Sequence, residues 1–174
     1  MSRKFLLSAA ALAAAFAAGN AAAADVRVEV EIPRLDVAEY HRPYVAVWLE
    51  TADGQVVADL AHWYQQENGR EDGRKWLKDV RQWWRRSGRA QEFPVDGVSG
   101  ATRPAGRHTL RFDDRSGPFA SLAAGDYRLV VEAAREVGGR ELLQLDFAWP
   151  GSAAQHAEAA GGSELGKITL DITP

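Results

Sequence analysis

The 174-residue sequence contains no cysteine. That absence excludes structural disulfides, thiolate metal sites, thioether attachment of haem and the lipidated cysteine of a lipoprotein, so the folded chain is held by its core alone. A secreted domain without disulfides is most at home in a bacterial periplasm. An excess of basic residues is lacking too. Twenty-one Lys and Arg stand against 24 Asp and Glu, a balance that disfavours nucleic acid as a general partner.

A long apolar run is also missing. Arg3 and Lys4 precede an alanine- and leucine-rich stretch that Gly19 and Asn20 interrupt and that closes on four alanines before Asp25. A bilayer span needs ~20 predominantly apolar residues, so this segment is expected to be a cleavable secretory signal, residues 1–24, removed after Ala24. Residues 25–174 then form one domain with no transmembrane segment, and losing Arg3 and Lys4 takes the net charge from −3 to −5.

What is present is mostly strand signal. Val26, Val28, Val30 and Ile32 alternate with polar residues, the period of a half-buried strand. Strands are predicted at Tyr44 to Glu50 and at Val56 to Tyr64, joined by a hairpin turn at Asp53-Gly54. Four more follow in "RHTLRF", "DYRLVVEAAR", "ELLQLDFAW" and "GKITLDIT", with turns at Gly125-Asp126 and Gly138-Gly139. Seven or so short strands interrupted by one helix predict a mainly β fold, an immunoglobulin-like antiparallel β-sandwich, with a small β-barrel as the other possibility.

The helix is predicted in "KWLKDVRQWWRRSG". Trp76, Leu77, Val80, Trp83 and Trp84 recur at helical spacing on one side, Lys75, Lys78, Arg81, Arg85 and Arg86 on the other, and Gly88 stops it. Such a segment covers a face or end of the β-structure. It also offers guanidinium groups that pair with phosphate and indoles that stack on rings, so Trp83 and Trp84 are candidate ligand neighbours.

Motifs of common chemistries are weak. None of His41, His62, His108 and His156 shares a zinc-type spacing with another, although His41, His62 and Asp59 could meet in space. "GVSGA", residues 97–101, approaches the nucleophile elbow of serine hydrolases but fails at Ala101 and does not lead from a strand into a helix. Gly97, Ser99 and Gly100 are equally the residues of an ordinary turn.

The same stretch, "DGVSGAT" from Asp96 to Thr102, resembles the target motif of bacterial periplasmic FAD:protein FMN transferases, enzymes that move FMN from FAD onto a threonine hydroxyl. The resemblance implies Thr102 as the acceptor, joined to FMN by a phosphoester. It gives Asp96, Ser99, Gly100 and Ala101 as recognition residues, without a substitution at any key position. Slender Gly100 and Ala101 leave the hydroxyl free to enter another enzyme's active site, and Arg103 or Arg107 would suit the linking phosphate. The familiar bearers of the motif are FMN-binding subunits of ion-pumping complexes, and the rest of this chain does not resemble them.

Along its whole expected mature length the sequence instead resembles a bacterial periplasmic family, domain of unknown function 2271, through "RPYVAVWLE", "KWLKDVRQWW", "DGVSGATRPAG" and "AGDYRLVVEAARE". Members are associated with flavin transferases and membrane-bound PepSY-type reductases. The expectation is a periplasmic electron carrier with covalent FMN on Thr102, more a carrier than an enzyme in its own right. The competing expectation is a non-catalytic accessory module that docks a membrane redox partner and in which the heptapeptide is only a turn.

Overall fold

The computed structural model describes residues 23–66 and 72–174; the expected leader lies outside the described residues except for Ala23 and Ala24. Nine strands are present among them: β1 (Asp25–Ile32), β2 (Tyr44–Thr51), β3 (Val56–Tyr64), β4 (Ser99–Ala101), β5 (Gly106–Asp113), β6 (Gly125–Ala134), β7 (Arg140–Trp149), β8 (Gln155–Ala160) and β9 (Lys167–Thr173). Between β3 and β4 run a 3₁₀ helix (Gly73–Asp79), the short α1 (Arg81–Arg86) and a 3₁₀ turn (Gly88–Ala90); α2 (Gly117–Ala120) follows β5.

The strands form two sheets, β5-β1-β9-β8 and β4-β3-β2-β6-β7. One core cluster joins them. The alternating Val26, Val28, Val30 and Ile32 of β1, with Ile168, Leu170 and Ile172 of β9, pack with Val45, Val47, Leu49, Leu129, Val131 and Phe147 of the five-stranded sheet. The chain is thus mainly β, as expected, with two sheets burying a shared apolar interior. The turn at Asp53-Gly54 is where it was expected, with Gly54 at φ +85°, a conformation that costs glycine little.

Three expectations need correction. The sheet is not wholly antiparallel: β4 runs parallel to β3, pairing Ser99 with His62, Gly100 with Trp63 and Ala101 with Tyr64. A parallel neighbour requires a crossover, and the helical segment supplies it. The predicted single helix is a 3₁₀ helix followed by α1. With three residues per turn in its first part, the phase changes: Leu77, Val80 and Trp83 are buried, whereas Trp76 is turned outward. Gly125-Asp126 is the start of β6 and not a turn.

The helical segment covers the outer face of the five-stranded sheet, where Leu77, Val80 and Trp83 pack on Ala46, Trp48, Tyr64 and Val130. A charged group fixes it there. Glu132 of β6, without solvent exposure, accepts from the backbone N–H of Gln82 (3.0 Å) and of Trp83 (2.8 Å), and from the Arg140 guanidinium of β7. It acts as a cap supplied from another element for orphan N–H groups of α1.

A pair of carboxylates, Glu141 and Glu164, ties the sheets at the β8–β9 loop. Glu141 of β7 accepts from the N–H groups of Gly162, Ser163 and Leu165 at 2.6, 3.0 and 2.8 Å. Glu164 of that loop accepts from Arg135 and from Gly139 N–H.

Replacing Glu132 by Ala leaves Arg140, the buried Trp83 N–H and the part-buried Gln82 N–H without their acceptor. The expected loss is about 3 kcal/mol, read as a lower urea midpoint, with Glu132→Gln losing less. Unchanged stability of Glu132→Ala would contradict the capping role.

Candidate functional site

The heptapeptide occupies the exposed edge of the five-stranded sheet. Its entry is a turn in which Ser99 N–H donates to Val95 O (2.9 Å) while Ser99 Oγ accepts from Val95 N–H (2.9 Å), with Gly97 at φ +70°. From Val98 onward the chain zips along β3: His62 N–H donates to Val98 O at 2.9 Å and Thr102 N–H to Tyr64 O at 3.1 Å. Gly100 O also accepts from Gln66 Nε2 (3.1 Å). Asp96 and Ala101 are exposed and Thr102 is half-buried. The three-residue length of β4 suits an edge that must not recruit strands indiscriminately.

Because β4 is parallel to β3, Thr102 emerges at the end of the sheet where β3 and β6 finish and β2 and β7 begin. Tyr44 of β2 lies opposite Ala134 of β6, which pairs with Arg140 of β7. An open groove of about 770 Å³ runs across this end and Thr102 lines it. The volume falls in the usual range for small-molecule sites. Its aromatic lining is Tyr40, Tyr44 and Trp76; its cationic lining is Arg42, Arg81, Arg135 and Arg140. Arg140 is engaged by Glu132 and Arg135 by Glu164. Arg42 and Arg81 form no ion pair among the described residues. Two acids, Asp79 and Glu136, also line the groove, so four guanidinium groups stand beside two carboxylates along the lining.

Beneath the helical segment lies a buried polar cluster. Asp59 accepts from Trp83 Nε1 (2.8 Å), Ser87 Oγ (2.7 Å) and Gln91 Nε2, and His62 Nε2 stands 3.4 Å from its Oδ1. His62 is fully buried between Asp59 and the rings of Trp83 and Phe93, whose centroids lie 4.3 and 5.9 Å away. Residues three apart normally face opposite sides of a strand. Here the β2–β3 register pairs Val47 with Ala61 but Trp48 with Asp59, so Leu60 is an extra, bulged residue that returns Asp59 to the face of His62.

The sequence-predicted residues are distributed unevenly about the groove. Thr102 lines it, with Ser99, Gly100 and Ala101 on the strand leading in. Arg103 is exposed, its guanidinium 5.4 Å from the ring centre of Trp63. Arg107 lies on β5, opposite Glu31 of β1, and does not line the groove. Trp83 is wholly buried and offers no face to a ligand; Trp84 is half-buried and stacked on Phe93, with ring centres 6.3 Å apart and planes at 22°. His41 does not join His62 and Asp59, but sits 2.9 Å from Glu39 and 3.6 Å from Glu136.

Sequence reasoning missed Tyr40, Tyr44, Arg42, Arg135 and Arg140 as groove residues. The only available signal was that "YHRPY" and "REVGGR" place aromatics and arginines at strand ends.

A family described as "Predicted periplasmic protein (DUF2271)" matches residues 25–167. No curated protein and no solved structure matches the chain. No helix among the described residues is long and apolar enough to cross a membrane.

Burial pushes the Asp59 carboxyl up, and contacts from His62, Ser87 and Trp83 outweigh it, holding the group below its ordinary 3.8. A lowered folded-state value contributes stability that is complete above 3.8 and lost as pH falls through the lowered value. Asp59→Asn is expected to be about 2 kcal/mol less stable at pH 7, with the deficit shrinking below pH 3.8. Thermal unfolding across a pH series checks this; a deficit independent of pH would contradict it.

Proposed function

We propose that this chain, which belongs to the DUF2271 family of predicted periplasmic proteins, carries FMN on Thr102 through a phosphoester. It serves as an electron carrier between a membrane-bound PepSY-type reductase and a downstream acceptor. The observation that carries this reading is one of placement: the Asp-x-x-Ser-Gly-Ala-Thr stretch lies on an exposed edge strand, and its threonine opens onto an aromatic and cationic groove.

Attachment requires the Thr102 hydroxyl to reach the phosphorus of FAD within a second protein, the flavin transferase. Thr102 Oγ bonds to phosphorus, the pyrophosphate bond breaks, AMP leaves, and the hydroxyl proton passes to the transferase. An edge position with Ala101 exposed supports such an approach. Attached FMN supplies one- and two-electron chemistry, and the chain's part is to hold the ring, screen it and set its electrostatics. Arg103 stands one residue beyond the linking phosphate, near enough in sequence for a guanidinium–phosphate contact. Retention after secretion follows from the covalent bond. The fold is read as immunoglobulin-like on the strength of the two sheets and their common core.

A second reading, a docking module without cofactor, is favoured by one feature. Trp76 is exposed with Lys75 Nζ 5.1 Å and Lys78 Nζ 5.7 Å from its ring centre, a cation–π surface suited to an acidic partner. That module would be colourless.

Intact mass spectrometry separates the two. Co-secretion with a flavin transferase is expected to add one FMN less one water to wild type and nothing to Thr102→Ala. Gly100→Ala gives a further check. A Cβ there would meet only Trp63 Cδ1, at 3.6 Å, an ordinary contact. The variant should therefore unfold with wild type while its modification falls by about tenfold, a barrier of about 1.4 kcal/mol. An unmodified wild type would sink the proposal.

A further inference from the structure

Arg135 has a donor that the fold does not use. Its side chain is only 6 % exposed and is clamped by Glu164, which is 4 % exposed. Nε donates to Oε2 at 2.9 Å and Nη2 to Oε1 at 3.2 Å, while Gly139 N–H donates to the same carboxylate at 2.7 Å. Nη1 is buried and has no acceptor among the described residues. A guanidinium N–H deprived of both water and partner is costly, and Arg135 is among the residues that line the groove.

The cover over it is slight. A Cβ on Gly138 would lie 2.5 Å from Arg135 Cζ, so the Arg135–Gly139 turn packs down on the guanidinium and a larger residue there would push it aside. Val137, at the tip of that turn, is 75 % exposed. For a ligand oxygen to reach Nη1, this turn has to move aside. The same groove presents Trp76 and Tyr40, both outward-facing aromatics, and Arg42, which forms no ion pair among the described residues.

We propose that the groove is a noncovalent seat for a planar aromatic ring bearing carbonyl oxygens, with Arg135 Nη1 donating to a ring oxygen and Trp76 lying against the ring face. Identifying that ring as isoalloxazine rests on the reading of Thr102 as the FMN attachment point. Distance favours the ring over the phosphate as the group at Arg135. Thr102 follows β4 and Arg135 follows β6, with β3 and β2 between them, a backbone separation of about 14 Å at the usual strand spacing. The phosphate is confined to Thr102, so the far end of the cofactor is what spans the groove.

The test uses the full chain secreted without a transferase and titrated with FMN and with riboflavin, following flavin fluorescence. Both are expected to bind with quenching and with affinities within about threefold, since the ring makes the contacts. Arg135→Lys, which keeps a cation opposite Glu164 but removes the forked donors, and Trp76→Ala, an exposed position that leaves the core intact, should each weaken binding about tenfold.

Absence of quenching at millimolar flavin, binding of FMN without riboflavin, or unchanged affinity in both variants overturns the seat. Failure here is distinguishable from failure of the attachment reading. Protein that gains FMN on Thr102 with an unquenched ring loses the seat and keeps the attachment. Protein that binds free flavin but never gains mass keeps the seat and loses the attachment.

Discussion

A carboxylate with no solvent exposure, Glu132, decides where the helical segment sits and through it where the candidate site lies. The outer face of the five-stranded sheet carries Ala46, Trp48 and Val130, apolar surface that must be covered. Apolar matching alone gives coverage without a fixed position. By accepting two N–H groups at the start of α1 and pairing with Arg140, Glu132 pins the segment against β6 and β7. The chain is then delivered back to the free side of β3 in the parallel sense, and Thr102 arrives at the same end of the sheet as Tyr44, Arg135 and Arg140.

The bulge at Leu60 reinforces this arrangement. It turns Asp59 and His62 to the covered face, where Asp59 gathers Trp83, Ser87 and Gln91. Those three belong to the segment that precedes the heptapeptide. His62 is also the backbone partner of Ser99. Polar contacts buried beneath the helices thus hold both ends of the connection leading to β4. Hydrogen bonds gathered on one buried carboxylate specify an arrangement more sharply than apolar packing does.

Much of the fold was legible because alternation is loud where valine and isoleucine supply it. β1, the β2–β3 hairpin and β9 were readable from their own residues. β8 was not: its inward residues include Ala157 and Ala159, too small to register as an apolar period and poor in β propensity. β4 was hidden because its pairing with β3 depends on a crossover, a long-range fact that three small residues do not advertise. Helical periodicity placed Leu77, Val80 and Trp83 on the buried side, yet misplaced Trp76, since the 3₁₀ turn alters the angle between successive side chains. Of the site, the heptapeptide was visible as a local string. The groove was not, being assembled from the ends of five strands, the loops beyond them and the helical segment.

In the function proposed, attachment and seating divide the work between two parts of the molecule, an exposed strand edge for another enzyme to reach and a groove to shield what is attached. A crystal structure of the protein co-secreted with a flavin transferase tests that division most directly. The account predicts continuous density from Thr102 Oγ through a phosphate to a ring lying in the groove against Trp76, with a ring oxygen in hydrogen-bond range of Arg135 Nη1. An unmodified Thr102, or a ring projecting into solvent away from Arg135, would contradict it.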